Sequence, residues 1–198
     1  DRNPIVGPDD WVVAISQSGE TADTLAAARE ALRKGAMATG VCNVVGSTLA
    51  RELGRGVYLH AGPEISVAST KAFTCQLAVL LMMALKIARS RRLSASAGRR
   101  VCEALSRLPQ DFARVLDADP IIQRIAARYA EHHDWFYLGR GNLYPVALEG
   151  ALKLKEISYA HAEGYHAAEL KHGPLALLDA RVPVVALLGN SGREREKM

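Results

Sequence analysis

The chain has 198 residues, 49% hydrophobic and 23% charged, with a formal net charge of +4. That is enough for one large or two small domains with real cores, and the balance is that of a soluble globular protein. Only Arg89, Arg91, Arg92, Arg99 and Arg100 cluster; without interleaved aromatics they read as a solvated face, which excludes a nucleic-acid partner.

In chain order, Trp11 to Ile15 is a short apolar run rich in β-branched residues, as expected of a buried parallel strand. Thr24 to Leu32 has helical spacing, with Leu25, Ala28 and Leu32 on one side. Met37 to Val45 reads as a second strand, Thr48 to Leu53 as a short helix and Val57 to His60 as a third strand. Ser69 to Arg89 reads as a long apolar helix. Its most apolar window, Cys75 to Ile87, is too short to span a bilayer and runs into arginines. No signal peptide is visible, so the expectation is a cytoplasmic protein with no membrane partner. Cys42, Cys75 and Cys102 show no CxxC spacing and read as small core hydrophobes.

The polar, basic stretch SRRLSASAGRR at 90–100 reads as a linker between domains. Two helices follow, Arg100 to Leu116 and Pro120 to His133, then a strand from Trp135 to Leu138, the turn GRGN and a helix from Tyr144 to about Ala160. The pattern assigns nothing between His161 and Arg181. A final strand, Val182 to Leu188, runs into GNSGREREKM. Strands alternating with helices argue for an α/β fold with parallel sheets. VVAISQSGET and WFYLGRGNLY also restate one strand–turn–helix unit.

Between the first strand and its helix lie Ser16, Gln17, Ser18, Gly19, Glu20 and Thr21. A strand-to-helix turn aims backbone N–H groups and a helix dipole at one point, and three hydroxyls with a glycine make a seat for a phosphate. A single hydroxyl here would read as an N-cap. No GK[ST] follows and G-x-G-x-x-G is absent, so the turn suits a phosphorylated small metabolite rather than a nucleotide. Further on, Glu149, Lys153 and Glu156 share one helix face. They read either as a solvated ion pair or as an acid–base set, since a partly buried carboxylate suits proton transfer between sugar carbons. His172, in ELKHGPLAL, is structural or a proton carrier. Ser69, Thr70 and Lys71 open a helix, and His161 with His166, five apart and lacking a third ligand, do not make a zinc site.

SQSGETADT, AGPEISVASTKAFTCQL at 61–77 and ALEGALKLKEISYAHAEGYHAAELKHGPL at 147–175 resemble the SIS (sugar isomerase) domain family, and within it the isomerase half of the glucosamine-6-phosphate synthases. The resemblance covers nearly the whole chain in order. It implies two SIS-type three-layer α/β/α units, both incomplete: 1–92, a linker and helix at 93–118, and 119–198. It implies Ser16, Gln17, Ser18 and Thr21 on the phosphate, and Val67 and Ser69 on the sugar. Glu156 would move a proton between C1 and C2, Lys153 would assist, and His172 would open the ring from the neighbouring subunit of a homodimer. The substrate would be fructose 6-phosphate and the product glucosamine 6-phosphate, with no metal or organic cofactor and with a glutaminase domain ahead of the first unit. A tail lysine that forms a Schiff base in the family has no counterpart here, so the chain alone is expected to be inactive. The alternatives are a SIS sugar-phosphate sensor, or a deglycase or isomerase that uses no ammonia. Gly164, His166 and Ala168 depart from the family pattern, and His166 is expected to affect the loop near His172.

Overall fold

The computed structural model describes residues 3–189. The chain divides into two compact units, Asp1–Pro109 and Gln110–Met198. In the first unit β1 (Trp11–Ser16), β2 (Met37–Cys42) and β3 (Gly56–Tyr58) form a parallel sheet in the order β1-β2-β3. Trp11 pairs with Met37 and Ser16 with Cys42, so β1 and β2 end together. Helices α1 (Ala22–Arg33) and α2 (Thr48–Leu53) connect the strands, and α3 (Lys71–Arg91) follows them.

Side chains alternate across the strands, so both faces of this sheet can be buried. Ala14, Ala38 and Cys42 pack with Leu25 and Ala28 of α1 and with Leu49 and Leu53 of α2. Val41 and Leu59 pack with Ala72 and Val79 of α3, and Val13 joins them. The result is three layers, with the β2 side chains feeding both cores. Leu32, expected on the buried side of α1, is 42% exposed, and Ala31 is buried instead.

Several boundaries differ from the sequence reading. β2 stops at Cys42, and Val44 and Val45 are exposed. The neighbouring strand ends at Ser16, so β-branched residues beyond that point have little left to pair with. The stretch 90–100 is not an open linker. Helix α4 (Ala95–Leu116) begins inside it, and Ser94 Oγ accepts the Ala97 N–H at 3.2 Å. The serine that suggested a linker is a helix-starting residue. α3 is 21 residues long with a mean hydropathy of 1.6 over its most apolar window, so the helix extends beyond the Cys75–Ile87 run at both ends. It is the one described helix long and apolar enough to cross a membrane, which is weak evidence, since core helices pass the same test. Cys42 is buried and Cys75 half-buried, but Cys102 is exposed on α4 rather than in a core.

In the second unit, α5 (Asp119–Tyr129) precedes β4 (Asp134–Gly139), α6 (Tyr144–Ser158), β5 (His161–His166) and β6 (Val184–Ala186). The parallel sheet has the order β5-β4-β6. β5 is the strand the sequence reading missed. It lacks an apolar run, yet it pairs along its whole length with β4, from Asp134–His161 to Gly139–His166. Gly164 explains how α6 fits over it: a Cβ there would lie 2.8 Å from Leu148 Cα. Phe136, Leu138, Ala147, Ala151 and Ala162 form the buried side-chain set of this unit. The last strand is shorter than expected, and the GNSGREREKM end beyond Gly189 lies outside the described residues. Each unit carries a tryptophan in its first strand. Trp11 Nε1 donates to Thr39 Oγ1 at 2.8 Å, and Trp135 Nε1 donates to the His132 carbonyl at 3.1 Å.

Candidate functional site

In parallel α/β sheets the carboxyl ends of the strands gather the loops that hold ligands. In the first unit the β1–α1 turn is built there around Ser16. Its Oγ is buried, lies 2.9 Å from Thr21 Oγ1 and accepts the Gly19 N–H at 3.0 Å. Ser18 Oγ accepts the Glu20 N–H at 3.1 Å. The three hydroxyls are thereby drawn into one turn. Thr21 occupies the N-cap position of α1 but makes no capping bond with its side chain, so no side chain closes the helix start. The first N–H groups of a helix have no intrahelical acceptor and favour an anion.

Two features fix the turn's shape. Gly19 has φ +69, and a Cβ on it would sit 2.2 Å from Ser47 Oγ. Only glycine suits both the left-handed backbone and the close approach. Glu20 turns away to α2, where its carboxylate accepts the Thr48 N–H at 2.8 Å. That backbone bond, helped by Thr48's side chain, holds Glu20 below the ordinary carboxylate range. Gln17 is half-buried, and its carbonyl accepts the Asn43 N–H at 3.0 Å.

The loop between β3 and α3 carries Val67 and Ser69. Val67 is 92% exposed and Ser69 half-buried. Ser69 Oγ donates to Glu64 Oε2 at 3.2 Å, and the same oxygen accepts the Ala72 N–H at 2.9 Å. The Ala72 bond is the main force lowering the Glu64 pKa, against desolvation, with further help from Ser69 and Thr70. Glu64 thus caps α3, a role no sequence motif announced. The start of the same loop is tied to Asn43: Ala61 N–H donates to Asn43 Oδ1 at 3.0 Å, and Asn43 Nδ2 donates to the Gly62 carbonyl at 2.7 Å.

In the second unit α6 carries the carboxylate–ammonium face as one connected group. Lys153 Nζ lies 2.6 Å from Glu156 Oε2 and 3.5 Å from Glu149 Oε1. The three side chains are between 20% and 29% exposed. Burial pulls the Lys153 ammonium down, but the bond to Glu156 and the charges of both carboxylates outweigh it, so its pKa stands above that of an ordinary lysine. His172 ends a 3-10 turn, Leu170–His172, and is exposed. Among the described residues no ion pair or hydrogen bond joins it to Lys153 or Glu156. His166 lies at the end of β5, edge-on to the Tyr144 ring at 5.5 Å, and its Nδ1 accepts the Ala168 N–H at 3.3 Å. It therefore shapes the start of the segment that leads to His172. His161, at the other end of β5, pairs with Asp134 at 3.0 Å. A cavity of about 620 Å³ opens at that amino end of the sheet, lined by His132, Asp134, His161 and Arg181 among others, and it includes none of Lys153, Glu156 or His172.

The SIS domain family model matches residues 1–86 and 129–198. Glutamine–fructose-6-phosphate aminotransferase (isomerizing) of Chlorobaculum tepidum is 55% identical over 186 residues, which is 94% of this chain and 30% of that protein. The chain thus spans about a third of the length of such relatives. The solved C-terminal domain of glucosamine-fructose-6-phosphate aminotransferase from Francisella tularensis superposes with a TM-score of 0.94 at 42% identity, over 98% of this chain and 56% of that one. Glucosamine-6-phosphate deaminase from Thermotoga maritima does so with a TM-score of 0.80 at 27% identity, over 98% of this chain and 57% of that one. With two parallel sheets, a hydroxyl-lined β1–α1 turn and a family match over both units, the chain belongs to the SIS domain family.

Proposed function

We propose that this chain is the sugar-phosphate isomerase module of a glutamine–fructose-6-phosphate aminotransferase. The observation that carries the reading is the β1–α1 turn, where the Thr21 and Ser16 hydroxyls bond each other and the Thr21 side chain does not cap the helix. A phosphate monoester is the ligand such a turn suits, held by Ser16, Gln17, Ser18 and Thr21 and by the first N–H groups of α1. The names of the relatives supply fructose 6-phosphate and glutamine; on this reading the substrate is fructose 6-phosphate and the product is glucosamine 6-phosphate, with ammonia derived from glutamine. The backbone of Val67 and the hydroxyl of Ser69 contact the sugar. Ser69 donates its proton to Glu64 and keeps its oxygen to accept from a sugar hydroxyl.

Ammonia condenses with the C2 carbonyl of the open-chain sugar and water leaves; a proton then leaves C1 and arrives at C2, while the C1 hydroxyl gives its proton to the C2 nitrogen and becomes the aldehyde. Glu156 carries that proton. The Lys153 ammonium, 2.6 Å from it, orients the Glu156 carboxyl group and balances negative charge as the enol forms, while Glu156 holds the proton between the two transfers. His172 passes a proton between the ring oxygen and the anomeric hydroxyl to open the ring, acting in the neighbouring subunit's site, so the working form is a homodimer in the cytoplasm with a glutaminase domain in the full-length protein.

The test uses the protein as its gene encodes it. With fructose 6-phosphate and ammonia it should release glucosamine 6-phosphate. Glu156→Gln should abolish exchange of the C1 proton with solvent, by at least about 10²-fold, while substrate binding survives. Unchanged exchange would remove Glu156 from the mechanism. The likeness to a glucosamine-6-phosphate deaminase favours a second reading, in which the same site runs without adding ammonia. Product analysis with and without ammonia separates the two.

A further inference from the structure

We propose that Asn43 is a positioning residue that sets the span between the phosphate seat and the loop that touches the sugar. This rests on the functional reading above. Asn43 is the first residue beyond β2, the middle strand of its sheet, so it stands between the segments leaving β1 and β3. An asparagine after a strand ordinarily bonds its own backbone two residues on. Here its side chain reaches Ala61 and Gly62, 18 and 19 residues away, while its main-chain N–H reaches Gln17. One residue therefore ties the turn carrying Ser16 to Thr21 to the loop carrying Val67 and Ser69.

The chemistry selects asparagine. The Ala61 N–H needs an acceptor and the Gly62 carbonyl needs a donor, and the two partners fix which way the amide faces. Aspartate can satisfy only the first, and alanine neither. The far end of the loop is held separately by Glu64, through Ser69 and Ala72. Between these anchors Ile65 and Val67 stand out in solvent, 93% and 92% exposed. The loop's position over a bound sugar thus depends on its two ends, and Asn43 is the end that registers it against the phosphate.

The experiment compares Asn43→Ala and Asn43→Asp with the parent in the protein as its gene encodes it. Asn43→Ala should raise KM for fructose 6-phosphate about tenfold, and Asn43→Asp less, with kcat changed by less than about twofold. Competition by inorganic phosphate should stay unchanged, because phosphate needs only the β1–α1 turn, and the main-chain bond from residue 43 to Gln17 survives both substitutions. Exchange of the Ala61 amide proton with solvent should quicken at least about tenfold in Asn43→Ala and stay near the parent rate in Asn43→Asp. Phosphate competition weakening in step with KM would overturn the proposal, as would an unmoved KM. Should the parent protein fail to turn over fructose 6-phosphate, the functional reading falls by itself. The Ala61 amide then judges Asn43, and an unchanged exchange rate in Asn43→Ala overturns its role.

Discussion

At the scale of single residues, the β1–α1 turn shows how one hydroxyl can be withheld from its usual task. Thr21 sits where a threonine normally caps a helix, yet it bonds Ser16 and makes no capping bond with its side chain. Replacing Ser18 and Thr21 together with alanine should weaken a sugar phosphate about 10²-fold, since hydrogen bonds to a charged group each contribute about 1.5–3 kcal/mol. Binding of the unphosphorylated sugar should not change, and calorimetric titration of both ligands checks the difference. The turn was legible in the sequence because its hydroxyls and glycine lie within six consecutive positions. Asn43 and Glu64 were not legible, because their meaning depends on partners outside the local run or on a fold-made cap, and neither belongs to a motif. The Glu149, Lys153 and Glu156 face was readable from helical spacing, and the structure adds that Lys153 holds Glu156 more tightly than Glu149.

At the scale of elements, the entry to α3 is set by a carboxylate rather than by a capping hydroxyl. Thr70 holds the N-cap position without a side-chain bond, and Glu64 reaches back over the loop to take the Ala72 N–H. Because the Glu64 pKa is lowered in the fold, its contribution is complete above the value it has in the unfolded chain and is lost as pH falls through the lowered value. Acidification through that range should therefore loosen residues 64–72 before it loosens the sheet. Amide exchange at Ala72, followed against pH, reads this out. Glu64→Gln, which keeps an acceptor and loses the titration, should flatten the profile. The strands that announced themselves, β1 and β4, carry apolar runs; β5 did not, since HAEGYH takes its extended form from pairing with β4 and from the close approach that Gly164 allows to α6. Local composition misled in the opposite sense at 90–100, where serines and a glycine that suggested a linker open α4.

At the scale of the whole molecule, the α/β pattern and its repetition were visible because strand–turn–helix units recur with apolar strands. The helices α4 and α5 show where periodicity stops short of packing. Both carry apolar residues at helical spacing, yet α5 buries none of its residues and α4 buries only Gly98. Each unit instead has its own core, built on a parallel sheet. The sequence contains two tryptophans, and the fold assigns one to each sheet: Trp11 to β1 and Trp135 to β4. The protein thus carries a natural fluorophore in either half. Removing one by phenylalanine substitution leaves emission that reports the other half alone. Urea titrations of Trp11→Phe and Trp135→Phe should give curves with different midpoints, as expected of separate cores. Coincident curves would mean that the halves melt as one cooperative body.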